Sequence, residues 1–352
     1  MGSGTAGIAR GIVLGALVGD AAGGVLEFLG REPGEDEVER ALRFPGGGCW
    51  SLAPGQFTDD GELMVCLARG LAEEITAGQT AIGDGTVTDF LGHAESRFPG
   101  RLEAVARYYH RWFGSPPFDI GNTTMASIGA ATAEDVAAGR CARAMSSAAA
   151  VRCAESKANG SLMRCMPLAV WGHRLPASEL AALARADSSL SHPNPSCTDA
   201  VAAYVVALGH LMNHPGDGPG ALAAAMSWAG DSANDEVREW LDMAAAGQGV
   251  PFHPLDGFVK IAFIHAFRHL AVGTPYDQAI YQTLLGGGDT DTNACIVGGL
   301  VGGLHGAAGI PAPWQEAVLS CDCSLGQQRP EWLGPGQLPA LIDQLVATAP
   351  TP

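Results

Sequence analysis

An all-α fold follows from two observations on this 352-residue chain. Apolar residues recur at helical spacing in one stretch after another, and no stretch alternates apolar and polar residues as a half-buried strand would. Proline and glycine collect between those stretches, as at Ser115-Pro116-Pro117, from Asn213 to Gly220 and from Gly247 to Pro251. None of these connections is long or biased enough to be an interdomain linker, and no internal repeat is visible. One domain over residues 1–352 is expected.

The first helix is expected over residues 5–24. It is rich in Gly and Ala, which permit close helix approach, so it belongs in the centre of the fold. The apolar run from Ile8 to Leu26 could mimic a signal or membrane segment, but Asp20 interrupts it and several glycines break it. We read it as a buried helix in which Asp20 must find a partner. Glu27 follows beside Phe28, and its plain reading is a surface residue at a helix end.

From Gly30 to Phe57 the chain changes character, with acidic Glu35-Asp36-Glu37, then Pro45-Gly46-Gly47-Gly48 and Pro54-Gly55. A loop with room for one short helix is expected. Loops of this length in compact domains are usually functional, and this one, running from Glu27 to an acidic cluster, reads as a flap. Helical patterns then fill residues 60–77, 86–98, 100–113, 122–132, 160–172, 177–186, 196–213, 219–229, 233–246, 257–272, 275–285, 291–306 and 335–347.

Two acidic clusters stand at helix starts. Gly286-Gly287-Gly288-Asp289-Thr290-Asp291-Thr292-Asn293 leads into a small-residue apolar run, and Thr58-Asp59-Asp60-Gly61-Glu62 leads into another. A glycine loop at a helix N-terminus offers free N–H groups to an anion such as phosphate. Carboxylates and hydroxyls are hard ligands suited to Mg²⁺, Mn²⁺ or Ca²⁺. The bland reading is capping: Asp289 or Asp291 caps its helix, and Asp59 with Glu62 has capping-box spacing. Face to face, the clusters would supply four carboxylates and two hydroxyls, enough for two octahedral cations completed by water and substrate. Asp119-Ile120-Gly121-Asn122-Thr123-Thr124, Asn159-Gly160-Ser161-Leu162-Met163-Arg164 and Ser191-His192-Pro193-Asn194 also precede helices. Taken singly, each is explained as a turn or cap. His265 and His269 share a helix face without the Glu of a zincin motif and read as ordinary helix residues.

The composition is 47% hydrophobic and 16% charged, with a formal net charge of −17. That charge argues against a nucleic acid or an anionic membrane as the main partner. The nine cysteines form no zinc spacing, and the one close pair, Cys321-Asp322-Cys323, is too short for a standard metal knuckle. Most of the others read as small core residues in a reducing compartment, so a cytoplasmic protein is expected.

Together, in order, these stretches resemble the ADP-ribosylglycohydrolase family, which includes dinitrogenase-reductase-activating glycohydrolases and ADP-ribosylhydrolases. Gly15-Ala16-Leu17-Val18-Gly19-Asp20-Ala21 through Glu27-Phe28 belongs to the matching set, with the five polar stretches above. The resemblance implies a compact orthogonal multi-helix bundle with two Mg²⁺ or Mn²⁺ in a central cleft. It places Thr58, Asp59, Asp60 and Asp291 on one metal and Asp289, Asp291 and Thr292 on the other. It gives Glu27 the place of a flap glutamate, Asp119 and Asn122 places along the ribose, and Asn159, Gly160, Ser161 and His192 places near the phosphates and ribose. Gly287 and Gly288 fall in the same binding loop.

The chain departs from the family at Ala158, where a glycine is usual, and the polar segment before it offers Lys157 as a phosphate contact. Phe258 is the guess for an adenine platform, and Asp256 is taken to lie outside the site. The function implied is removal of ADP-ribose from a protein or small molecule by cleavage at ribose C1″, with Glu27, Asp60, Asp119 and Asp291 carrying the chemistry. The competing readings are an inactive ADP-ribose-binding or crystallin-like structural protein, and a dinuclear hydrolase of another nucleotide-like molecule.

Overall fold

The computed structural model describes residues 3–75 and 89–351, and every regular element among them is helical. The order is α1 (Ser3–Gly23), α2 (Glu35–Ala41), α3 (Asp59–Ala72), α4 (Asp89–Arg97), α5 (Arg101–Phe113), α6 (Asn122–Ile128), α7 (Ala133–Ala137), α8 (Cys141–Arg152) and α9 (Met166–Gly172). It continues with α10 (Ala177–Ser189), α11 (Pro195–Asn213), α12 (Gly218–Ser232), α13 (Asp235–Ala245), α14 (Val259–Val272), α15 (Tyr276–Leu285), α16 (Thr290–His305), α17 (Ala312–Leu319) and α18 (Leu338–Ala347). Two isolated antiparallel bridges, Gly47 with Leu52 and Ala158 with Phe258, are the only β-type pairings among the described residues.

The centre is a close backbone-to-backbone contact between α1 and α16. Gly11, Gly15, Gly19 and Gly23 recur every fourth residue, so they share one face of α1. A Cβ on Gly15 would lie 2.4 Å from the Gly298 carbonyl oxygen, and one on Gly19 2.0 Å from that of Ala294. A Cβ on Gly298 would in turn lie 2.2 Å from the Gly15 oxygen. Only glycine allows this approach, and it fixes the register of the two helices. The end of α1, with Asp20 and then Glu27, therefore meets the start of α16, with Asp289, Asp291 and Thr292. Gly4–Gly23 is long and apolar enough to cross a membrane, but 83% of that stretch is buried inside this fold. Ile12, Leu17, Leu63 and Leu67 are fully buried around the contact, each contributing about 1.5–3 kcal/mol of transfer free energy.

Several boundaries differ from the sequence reading. The helix expected from residue 160 starts at Met166, because the preceding stretch is a turn in which Leu162 N and Met163 N both donate to Asn159 O. The helix expected over 60–77 ends at Ala72, where Glu73 is extended. Residues 76–77 of that expectation, and 86–88 of the next, lie outside the described residues. Helices α8 and α17 were not expected. Cys141–Arg152 carries Ala and Ser around its whole circumference, so it shows no apolar stripe. The long loop holds one short helix, α2, as expected.

Candidate active site

Asp20 organises the first acidic cluster. Its Oδ1 accepts from Thr58 N at 2.8 Å and from Thr58 Oγ1 at 3.0 Å, and its Oδ2 accepts from Gly61 N at 2.8 Å. The free N–H groups at the start of α3 are thus capped from α1 rather than from within. The capping box offered by Asp59 and Glu62 does not form: Glu62 turns away to accept from Trp112 Nε1 at 2.6 Å and from Arg329 Nε at 2.7 Å. Asp59 and Asp60 are left to face elsewhere.

The second cluster behaves alike. Asp289 stands at the N-cap of α16, yet its side chain accepts no hydrogen bond from the helix. Its Oδ2 accepts instead from Asn159 Nδ2 at 2.7 Å. Asp291 Oδ1 accepts from Thr292 N at 2.9 Å, while Oδ2 lies 3.2 Å from Thr58 Oγ1. Thr292 Oγ1 lies 3.3 Å from Asp60 Oδ2. The two clusters are face to face.

Glu27 is buried, not on the surface. The chain leaves α1 through Phe28, which takes a left-handed φ of 57°, a conformation that costs a non-glycine residue about 1 kcal/mol or more. Glu27 accepts a hydrogen bond from Trp50 Nε1 in the flap loop. Trp50 packs edge-on to Phe28 at 5.9 Å and to Phe118 at 5.8 Å between ring centres. Phe118 immediately precedes Asp119.

Oxygens of Glu27, Asp119 and Asp291 all lie within 4.8 Å of one another, a spacing that can hold a metal ion. Glu27 stands beside Asp291, and Asp119 beside Asp59, so each carboxyl faces another across the site. Burial, reinforced by the neighbouring carboxylates, pushes Glu27 up to about 8. Asp119 rises to about 6, chiefly through burial and then Asp289. Burial lifts Asp20 to about 7 against the three hydrogen bonds it accepts. Asp59, Asp60 and Asp291 are driven well above the ordinary carboxylate range, again first by burial. Asp60 Oδ1 is buried with no hydrogen-bond partner. Buried, mutually repelling acids, beside an oxygen that lacks any partner, fit hard divalent cations.

These groups open onto a cleft of about 490 Å³. Of the expected metal ligands, Asp59, Asp289, Asp291 and Thr292 line it, while Thr58 and Asp60 lie beneath its floor. Asp119, Asn122, Asn159, Gly160 and His192 line the wall, and Gly287 and Gly288 the rim beside Asp289. His192 is held neutral, pushed down to about 3 by burial and then by Arg164. A Cβ on Gly160 would lie 2.9 Å from His192 Cε1, so the ring rests on bare backbone.

Three expected positions fall elsewhere. Ser161 does not line the cleft; it is buried and its Oγ accepts from Ser188 at 2.9 Å. Phe258 is not among the lining residues either, since its ring packs edge-on to Trp240 at 5.8 Å. Lys157 pairs with Glu236 at 2.7 Å and makes no part of the cleft. Asp256, by contrast, lines it, with its Oδ1 2.9 Å from His253 Nδ1, and His253 Nε2 is buried without a partner. Trp50, His253 and Asp256 carry no motif, and their only signal in the sequence was membership of long glycine- or proline-rich loops.

A profile of the ADP-ribosylglycohydrolase family matches residues 3–350, and the chain belongs to that family. It is 29% identical over 342 residues to a protein of Acanthamoeba polyphaga mimivirus named as an ADP-ribosyl glycohydrolase, covering 90% of this chain and 92% of that one. It is 28% identical over 320 residues to the ADP-ribosyl-[dinitrogen reductase] glycohydrolase of Rhodospirillum rubrum, covering 87% and 88%. A solved ADP-ribosylglycohydrolase-related protein complex shares the fold, with a TM-score of 0.70, 21% identity and 99% of each chain covered.

Proposed function

We propose that the protein is a Mg²⁺- or Mn²⁺-dependent hydrolase that removes ADP-ribose from an ADP-ribosylated protein or small molecule by cleaving the bond at ribose C1″. The observation that carries the reading is the Glu27–Asp119–Asp291 cluster, with oxygens within 4.8 Å, lining the cleft. Thr58, Asp59, Asp60, Asp289, Asp291 and Thr292 would hold two cations, with Glu27 and Asp119 within reach of them. When bound, such cations supply Lewis-acid orientation of the ribose hydroxyls and of a water.

The chain's own residues do the rest. Asn159, fixed by its bond to Asp289, and the Gly287-Gly288 turn present polar backbone and amide groups to the ligand. Cleavage develops positive charge on the ribose, which the surrounding carboxylates stabilise. Glu27, which accepts from Trp50, would take or give a proton at the reacting carbon's substituents. Phe28 and Phe118 pack edge-on to the Trp50 ring that donates to that carboxyl.

The test is release of free ADP-ribose from defined arginine-, serine- and small-molecule-linked substrates, with Mg²⁺, Mn²⁺ or EDTA. Metal-dependent release from at least one is expected. ADP-ribose binding without release from any substrate would replace the enzyme with a binding protein.

A further inference from the structure

A second groove, of about 720 Å³, is lined by Cys321, Asp322, Cys323 and Arg329. Six of the nine cysteines are buried, and Cys49, though exposed, has its thiol pushed up to about 11 by burial and then Glu27. Cys321 and Cys323 are half-buried, free, and both line this groove on either side of Asp322. Each thiol acts first on the other: Cys321 draws the Cys323 thiol below its ordinary value, and Cys323 pushes Cys321 up. Arg329 also favours the Cys323 thiolate, whereas burial, Glu62 and Asp322 oppose it. The pair thus divides into a nucleophilic sulfur and a protonated neighbour, the arrangement of peroxide-sensitive cysteines.

The turn that carries the thiols is tightly made. Asp322 Oδ1 accepts from Ser324 N at 2.9 Å and from Ser324 Oγ at 2.6 Å, and Cys323 O accepts from Arg329 N at 3.1 Å. The segment after it straps the active site from outside. Gln327 Nε2 donates to Trp50 O, and Gln327 N and O pair with the Gln56 side chain at 3.1 and 2.6 Å. Arg329 grips Glu62 on α3 and donates to Pro116 O at 2.9 Å, just before Asp119. One short segment therefore holds the Trp50 loop that positions Glu27, the helix start that carries Asp59 and Asp60, and the turn that leads to Asp119.

We propose that Cys321 and Cys323 are a modification site for hydroperoxides, and that their closure to a disulfide shifts this strap and lowers turnover in the cleft. The Cys323 thiolate attacks the distal peroxide oxygen, the O–O bond breaks, and the departing alkoxide or hydroxide takes a proton to leave as alcohol or water. The Cys321 sulfur then attacks the resulting sulfenic acid, the S–S bond forms, the S–O bond breaks, and water leaves with the Cys321 proton. Two thiols and one hydroperoxide thus give one disulfide, one alcohol or water, and one water. Closure sets the two Cβ atoms about 3.8 Å apart, a constraint that falls on the turn from which the strap begins.

The experiment treats the full chain with hydrogen peroxide, then maps peptides by mass and measures ADP-ribose release and hydrogen exchange over residues 324–329. The expected result is a loss of two hydrogens in the peptide spanning 321–323, faster exchange in the strap and a several-fold fall in release, all reversed by dithiothreitol. Cys321→Ser and Cys323→Ser keep basal release and lose the response. A peptide that keeps two free thiols overturns the site. A disulfide that forms without change in exchange or release overturns the coupling. Mass mapping and exchange need no turnover, so they stand apart from the hydrolase reading.

Discussion

Asp20 of α1 holds Thr58 at the start of α3 through two hydrogen bonds, 2.8 Å from the backbone N and 3.0 Å from Oγ1. Its other oxygen takes Gly61 N. In Asp20→Asn one of these acceptors becomes a donor facing a buried N–H. That mismatch costs about 1–3 kcal/mol, and the first turn of α3 carries Asp59 and Asp60. The expected outcome is a lower melting temperature together with weaker metal binding. A variant that melts like the wild type contradicts the clamp.

The glycine face of α1 gives a paired test. Gly15→Ala drives a methyl group to 2.4 Å from a backbone oxygen of α16, and overpacking of that kind costs about 1–3 kcal/mol or more. Gly7→Ala on the same helix meets nothing within 4 Å and is expected to stabilise by about 0.5–1 kcal/mol through helix propensity. Equal melting temperatures for the two variants would show that the helices do not depend on this contact.

The helical class was legible because apolar periodicity survives burial, and α1 was legible as central because its glycines repeat. The helices α8 and α17 were not, since an Ala- and Ser-rich helix shows no stripe and Pro311-Ala312-Pro313 reads as a break. The acidic floor was legible from paired carboxylates at two helix starts. Glu27 alone looked like surface, because its burial depends on Trp50 returning from 23 residues away. His253 and Asp256 reach the cleft only because their loop folds over Gly287 and Gly288, where a Cβ on Gly287 would lie 3.1 Å from His253 Nε2. No local pattern encodes that contact.

The carboxyl cluster makes the metal-free protein pH-sensitive. Asp119, Asp20 and Glu27 are raised to about 6, 7 and 8 in the fold, against about 4 in an unfolded chain. The folded state therefore holds more protons than the unfolded one, and its stability falls as pH rises through that window. Melts in EDTA should begin to drop near about pH 4, fall most steeply below about pH 6, and level off above about pH 8. Mg²⁺ or Mn²⁺ should flatten the decline, since a cation at ~100 times its dissociation constant adds about 2.7 kcal/mol. Stability that climbs with pH in EDTA contradicts the raised carboxyls of the cluster.

Trp50→Phe keeps an aromatic ring against Phe28 and Phe118 but removes the N–H that Glu27 accepts. Losing a hydrogen bond to a mostly neutral carboxyl, worth about 0.5–1.5 kcal/mol, should lower kcat by roughly two- to tenfold, with little change in ADP-ribose affinity. Unchanged kcat would detach the flap from the chemistry.

Asp291 joins both clusters, and Asp291→Asn is the most direct trial of the whole account. Asparagine caps a helix nearly as well as aspartate, so a capping role predicts near-normal behaviour. Removing a charge from a crowded acidic cluster should leave the fold intact and at least as stable in EDTA. Asp231→Asn, at an exposed position on α12, controls for simple charge loss. The measurement is calorimetric titration with Mg²⁺ and Mn²⁺, run beside ADP-ribose release from a substrate the wild type cleaves. The account predicts a folded Asp291→Asn protein whose metal affinity and release both fall by orders of magnitude. An Asp291→Asn protein that binds metal and releases ADP-ribose as the wild type does would contradict it.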